Sequence, residues 1–248
     1  MTTGKSRRGF WSALIVMVIL IPLTVGISWY MGDRRYYIAS VLIMIYSMLP
    51  FFASFESRRP GARELVTLAV MCAIAVASRA AFVWAPNFKP IGGIVMITAM
   101  AFGPQAGFMT GSLSLIVSDM LFGQGPWTPW QMFSFGLLGF ISGLLGRKGI
   151  IKAEKPLGAA IAGFVMMVAM VGPLLDTCTV FTMAQMLNRE SVLAIYLSGI
   201  PVNVSQGIAV FLCVLLLSRP ISEKLNRIKT KYGMMETGDL TVIIRPSI

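Results

Sequence analysis

Long apolar runs alternate with short basic loops along this chain, and that alternation constrains its fold more than any single motif. Eight runs stand out, at residues 10–30, 37–55, 64–84, 91–103, 105–122, 130–145, 156–175 and 200–217. Most approach the ~20 residues with which an α-helix crosses ~30 Å of hydrocarbon. A segment in lipid must satisfy its backbone hydrogen bonds internally, so such runs predict helices. The run at 91–103 is short and reads as a tilted, broken or re-entrant segment. Charged residues make up 12% of the chain and hydrophobic ones 56%, whereas a soluble domain carries about a quarter charged. The expected fold is all-α, a polytopic membrane helical bundle.

The loops predict an orientation. Lys and Arg number 21 against 10 Asp and Glu, a net charge of +11. In a soluble protein that excess would suggest nucleic acid. Here the cations cluster between apolar runs, so a lipid bilayer is expected around the chain and no nucleic acid. With the N-terminus in the cytoplasm, sixteen of the 21 fall inside. They are Lys5, Arg7 and Arg8; Arg58, Arg59 and Arg63; Arg147, Lys148, Lys152 and Lys155; and Arg219, Lys224, Arg227, Lys229, Lys231 and Arg245. Arg34, Arg35, Lys89 and Arg189 fall outside, and Arg79 lies within a run. Both termini are therefore expected in the cytoplasm, with an even number of crossings of the cell membrane. The run at 10–30 is too long for a signal peptide and lacks a small-x-small cleavage site, so it is expected to be retained. Arg58, Arg59 and Arg63 around Pro60-Gly61 mark a boundary. It divides a pair of transmembrane helices (1–57) from six further spans (58–221), and a basic cytoplasmic tail follows (222–248).

Several chemistries are excluded by what the chain lacks. Histidine is absent, which removes Ser–His and Cys–His nucleophile pairs, histidine-ligated metals and a histidine proton relay. Cys72, Cys178 and Cys213 have no metal-ligand spacing and read as small packing residues. There is no phosphate-binding G-x-x-x-x-G-K-[ST] loop, no mid-membrane carboxylate pair and nothing like a selectivity filter. Neither enzymatic activity nor a resident metal or cofactor is expected.

Other features suggest binding. Ala69, Ala73, Ala77 and Ala81 recur every four residues, a small stripe that lets a helix approach closely, within the chain or from a partner. Gly107 and Gly111, and Gly136, Gly139 and Gly143, repeat the theme on later spans. Arg79 and Asp119 lie inside runs, each near the outer end and at similar depth. Intramembrane charges pair with one another or face a cavity. Between two spans runs Phe-Gly-Gln-Gly-Pro-Trp-Thr-Pro-Trp-Gln-Met, residues 122–132. Its glycines and prolines predict a short rigid connection. Its tryptophans and glutamines suit either an interfacial anchor or the rim of a pocket for a flat, polar-edged molecule.

The alanine stripe, the segment FKPIGGIVMITAMAFGPQAGFMTGSLSLIVSD (88–119) and FGQGPWTPWQMFSFGLLGFISGLLG (122–146) together resemble the substrate-binding S component of an energy-coupling factor (ECF) vitamin transporter. The tryptophan loop looks like the group assigned to cobalamin uptake. The resemblance covers about residues 60–218. It implies a six-helix S-component core that captures a vitamin, here a corrinoid, from outside and topples in the membrane to deliver it. It also implies an ECF T component and two ATPase subunits as partners, which would supply the energy this chain lacks. Carried onto these positions, the family's site falls on Phe88, Lys89, Asp119, Gln124, Trp127, Trp130 and Asn203, and its docking surface on Ala69, Ala73 and Ala77. The two extra N-terminal transmembrane helices depart from the family's pattern, since they must move with a toppling core or stay behind. An S component for another vitamin, a self-sufficient ion-coupled carrier using Asp119, and a membrane scaffold without a small ligand are the alternative readings.

Overall fold

The computed structural model describes residues 36–57, 60–183 and 188–232, with Leu23 alone before them. Apart from Leu23, the expected first span at 10–30 therefore lies outside the described residues. The described chain is helical: α1 (Tyr36–Ser57), α2 (Ala62–Ala81), α3 (Ile91–Phe102), α4 (Pro104–Phe122), α5 (Thr128–Arg147), α6 (Pro156–Met166), α7 (Gly172–Met183) and α8 (Arg189–Tyr232). A π-helical turn, Met167–Val171, joins α6 to α7, so these two make one continuous span, Pro156–Thr182. Four described helices are long and apolar enough to cross a membrane: Ala39–Ser57, Ala62–Ala81, Pro156–Thr182 and Arg189–Tyr232. With 19 and 20 residues, α4 and α5 match them in length. The chain is a multi-pass membrane bundle.

The short run at 91–103 is the centre of the bundle. α3 has 12 residues, about 18 Å of helix. Ten of them are buried, the pattern of a helix that is apolar all round and enclosed by others. Gly103 then turns the chain within one residue at φ 91, a left-handed conformation that glycine adopts without steric penalty. Pro104 starts α4 at a position where a missing N–H costs nothing.

Glycine sets the packing of α4 on α5. A Cβ at Gly107 would run into the backbone of Gly139, and one at Gly111 into the backbone of Phe135. A Cβ at Gly143 would meet Pro104 Cα at 2.5 Å. In lipid, such close backbone approach supplies the van der Waals contact that drives helix association. The glycine pairs of the two spans thus meet each other. On the other side of α4 and α5, Phe51 of α1 stacks on Phe108 at 4.1 Å between ring centroids and meets Phe140 edge-on at 5.1 Å.

The structure extends two expected spans. The helix beginning at Pro156 continues past 175 to Met183. The run at 200–217 is only the middle of α8, whose 44 residues make about 66 Å of helix. Beyond Ser218 the helix survives because it is amphipathic. Ile221 and Leu225 pack into the core, while Lys224, Arg227 and Lys231 are exposed. Ser218 Oγ donates to the Ala153 carbonyl at 3.4 Å, and Lys229 Nζ to that of Ala101 at 3.5 Å. The Arg63 guanidinium lies 5.0 Å from the Tyr232 ring centroid. This extension lies against the end of the bundle that carries the basic loop at 148–155. The opposite end carries the loops at 82–90 and 123–127, with Trp84 and Trp127 both exposed.

Candidate functional site

The tryptophan end is organised around Asp119, one residue type that lipid tolerates only when paired. It sits one turn before the end of α4 and is 1% exposed. Its Oδ1 accepts from Arg79 Nη1 of α2 at 3.0 Å. Its Oδ2 accepts from the Thr128 hydroxyl at 2.8 Å. Arg79 Nη1 also donates to Ser118 Oγ at 2.9 Å, and its guanidinium carbon lies 5.2 Å from the Phe122 ring centroid, within cation–π range. Gly123, at φ 113, turns the chain out of α4. The Gly125 N–H then donates to Thr128 Oγ1 at 3.3 Å. One carboxylate so ties α2, α4, the 123–127 loop and the first residue of α5 together. Both its oxygens are engaged.

Arg79 also faces a cleft of about 310 Å³ lined by Arg79 and Lys89, by Asn87, and by Phe82, Pro86 and Phe122 among others. Burial pushes the Lys89 ammonium below its ordinary pKa of 10.5; the nearby Arg79 charge adds to this, and Asp119 opposes it. Arginine and lysine are donors only. The cleft therefore offers donors, beside apolar walls, to a ligand that presents acceptor oxygens or nitrogens.

The seven expected site residues divide into two groups. Lys89 lines the cleft, and Asp119 holds Arg79 beside it. Phe88 packs on the lining residue Phe82, with ring centroids 5.0 Å apart. Gln124 and Trp127 are exposed on the adjoining loop. Trp130 and Asn203 turn into the bundle instead. Trp130 is 3% exposed, with its ring 6.2 Å from Phe181 and its indole N–H unpartnered among the described residues. Asn203 Nδ2 donates to Asp176 Oδ2 at 2.8 Å.

The Asp176–Asn203 contact latches α7 to α8 through two matched pairs. Asn203 packs on Gly172, and Asp176 packs on Gly199, so each polar residue lies over the glycine four residues before its partner. The repeated Gly-x-x-x-polar spacing, 172–176 and 199–203, was the sequence signal for it. One turn away, Thr177 Oγ1 and the Tyr196 hydroxyl share a hydrogen bond of 2.7 Å. Arg79 drew notice in the sequence as a charge within a span, expected to pair with Asp119 or to face a cavity, and it does both; Asn87 and Thr128 carried no signal of their own. Among the described residues no group of three or more His, Cys, Asp or Glu is placed to hold a metal.

The expected docking residues lie elsewhere. Ala69, Ala73 and Ala77 are exposed along α2, beside exposed Val66, Val70 and Ile74. α1 packs on α4, α5 and α7, away from this stripe.

Compared with known protein families, residues 61–223 match the family described as ECF-type riboflavin transporter, S component. The match covers more than half of the chain and runs from the residue before α2 into the extension of α8. No solved structure matches the chain.

Proposed function

From its membership of the ECF-type riboflavin transporter S-component family, which makes this chain the substrate-binding subunit of a vitamin transporter, we infer that its ligand is riboflavin or a vitamin of that shape. The observation that carries the reading is the donor-rich cleft at the tryptophan end. Arg79, Lys89 and Asn87 face it together with Phe82 and Phe122, which fits a flat ring system with carbonyls along one edge. Its volume of about 310 Å³ stands at the small end of small-molecule pockets, which run to about 1,000 Å³. A corrinoid macrocycle is much larger than that cleft. The likeness of the 122–132 loop to the cobalamin group thus gains no support from the family match, which names riboflavin.

Capture takes place on the outer face of the cell membrane. The tryptophan end is that face, because the cations of the opposite end are those that the positive-inside rule holds in the cytoplasm. Both termini are cytoplasmic. Phe88, Lys89, Gln124 and Trp127 contact or cover the ligand, and Asp119 positions Arg79. Trp130 and Asn203 bind only a ligand that reaches into the bundle between α5, α7 and α8. The partners are a T component and ATPase subunits. Ala69, Ala73 and Ala77 dock the T component, a reading supported by their exposure. α1 is joined to the core through Phe51 and Phe108 and moves with it.

Calorimetric titration of the purified chain in detergent tests this assignment, with riboflavin, thiamine, biotin, cobalamin and cobinamide as ligands. Riboflavin binds tightly and the corrinoids do not. Tight binding of cobalamin or cobinamide alone, or of no vitamin by folded protein, overturns it.

A further inference from the structure

A second cleft, of about 420 Å³, opens at the basic end of the molecule, between the 148–155 loop and the start of α6. Its cations are Lys152 and Lys155, and its other lining includes Ile150, Leu157 and Gly158. The loop that forms it is firmly held. The Ile150 N–H donates to the Leu145 carbonyl at 3.0 Å and the Lys155 N–H to the Lys152 carbonyl at 3.1 Å. Ile151 is 4% exposed and anchors the loop in the core. The Ser218 hydroxyl ties it to α8.

Three properties coincide there. First, the cleft is positive. Neither lysine has an ion-pair partner among the described residues, and Glu154, in the same loop, is not part of the lining. Second, the cleft contains free backbone donors. Leu157 and Gly158 belong to the first turn of α6, whose N–H groups have no intrahelical acceptor, and no side chain caps this helix. A Cβ at Gly158 would meet nothing within 4 Å, so the approach is open. Third, the cleft has apolar lips. Ile150 is 66% and Leu157 57% exposed, and the span Pro156–Thr182 begins at this level. Cations and amide donors beside exposed aliphatic side chains, at the end of a span, match the boundary between headgroups and acyl chains.

We propose that this cleft holds the phosphate-bearing headgroup of an anionic membrane lipid. Lys152 and Lys155 neutralise the phosphate, the first-turn amides of α6 donate to its oxygens, and the acyl chains lie along Ile150 and Leu157.

The test uses the full chain, delipidated in detergent and titrated with short-chain phosphatidylglycerol while bound lipid is counted by native mass spectrometry. The variant Lys152→Gln/Lys155→Gln changes only exposed side chains. It weakens phosphatidylglycerol binding roughly 10- to 30-fold, as expected for two lysines near a headgroup. A variant of equal charge loss on the exposed face of α8, Lys224→Gln/Lys231→Gln, binds like the unaltered chain, and phosphatidylcholine binds neither. Equal weakening in both variants overturns the proposal by reducing the effect to net charge. So does undiminished binding in Lys152→Gln/Lys155→Gln. Displacement of phosphatidylglycerol by inorganic phosphate at equal concentration assigns the cleft to a free anion and overturns the lipid reading.

Discussion

At the scale of single residues, Asp119 is the junction on which the tryptophan end depends. Asp119→Ala leaves Arg79 without its counter-ion at a site only 13% exposed, and leaves the Thr128 hydroxyl without its acceptor. Breaking one side of a buried pair costs about 3–5 kcal/mol, so thermal unfolding in detergent shifts down strongly. Thr128→Val removes one donor to that buried carboxylate and costs about 1.5–3 kcal/mol, the range for a hydrogen bond to a charged group. An Asp119→Ala protein as stable as the original contradicts this role. Lys89 gives a pH signature of two opposite signs. Burial lowers its pKa below 10.5, so between the lowered value and 10.5 the unfolded chain binds more protons and stability rises with pH. Ligand acceptors need the protonated ammonium, so affinity falls as pH rises through the same interval. Calorimetry from pH 7 upward shows this loss, and Lys89→Met flattens it. The Arg79–Asp119 pair was legible in the sequence, because 1.5 Å per residue puts both charges near the same end of their helices. The Thr128 bond was not, because it depends on how the 123–127 loop folds back.

At the scale of elements, glycine decides which helices touch. Gly139→Leu pushes a side chain into the backbone of α4 at Gly107. Overpacking of this kind costs about 1–3 kcal/mol, read as a lowered unfolding temperature. Gly61→Ala, where a Cβ meets nothing within 4 Å, is the tolerated control. Different behaviour follows on the exposed stripe of α2. Ala73→Leu with Ala77→Leu leaves vitamin binding intact and blocks uptake by the assembled transporter. Normal uptake by that variant removes the stripe as a docking surface. Periodicity made both sets of small residues visible, yet could not say which set meets a neighbour inside the chain. That depends on helix order in space: α4 lies against α5, while α2 turns its alanines outward. Helix lengths were legible only where lipid ends them. α8 runs on past 217 because Ile221 and Leu225 keep packing while its lysines face out, an amphipathic pattern that a search for apolar runs passes over.

At the scale of the whole molecule, the chain has a tryptophan end and a basic end. The first gathers Arg79, Lys89 and the tryptophan loop; the second gathers the basic loop and the extension of α8. Charge bias separated these ends in the sequence, and the long apolar runs sufficed for a membrane bundle. The vitamin was beyond reach, because its identity depends on cavity dimensions that arise from helices distant in sequence. With no phosphate-binding loop of its own, a capture subunit binds its vitamin alone and moves it only when partners hydrolyse ATP. The decisive measurement is uptake of labelled riboflavin into proteoliposomes that contain this chain alone, or this chain with a T component and ATPase subunits. Uptake that requires both the partners and ATP, with binding but no transport by the chain alone, is the predicted result. Riboflavin accumulation by the chain alone under a proton gradient, indifferent to ATP, contradicts the account.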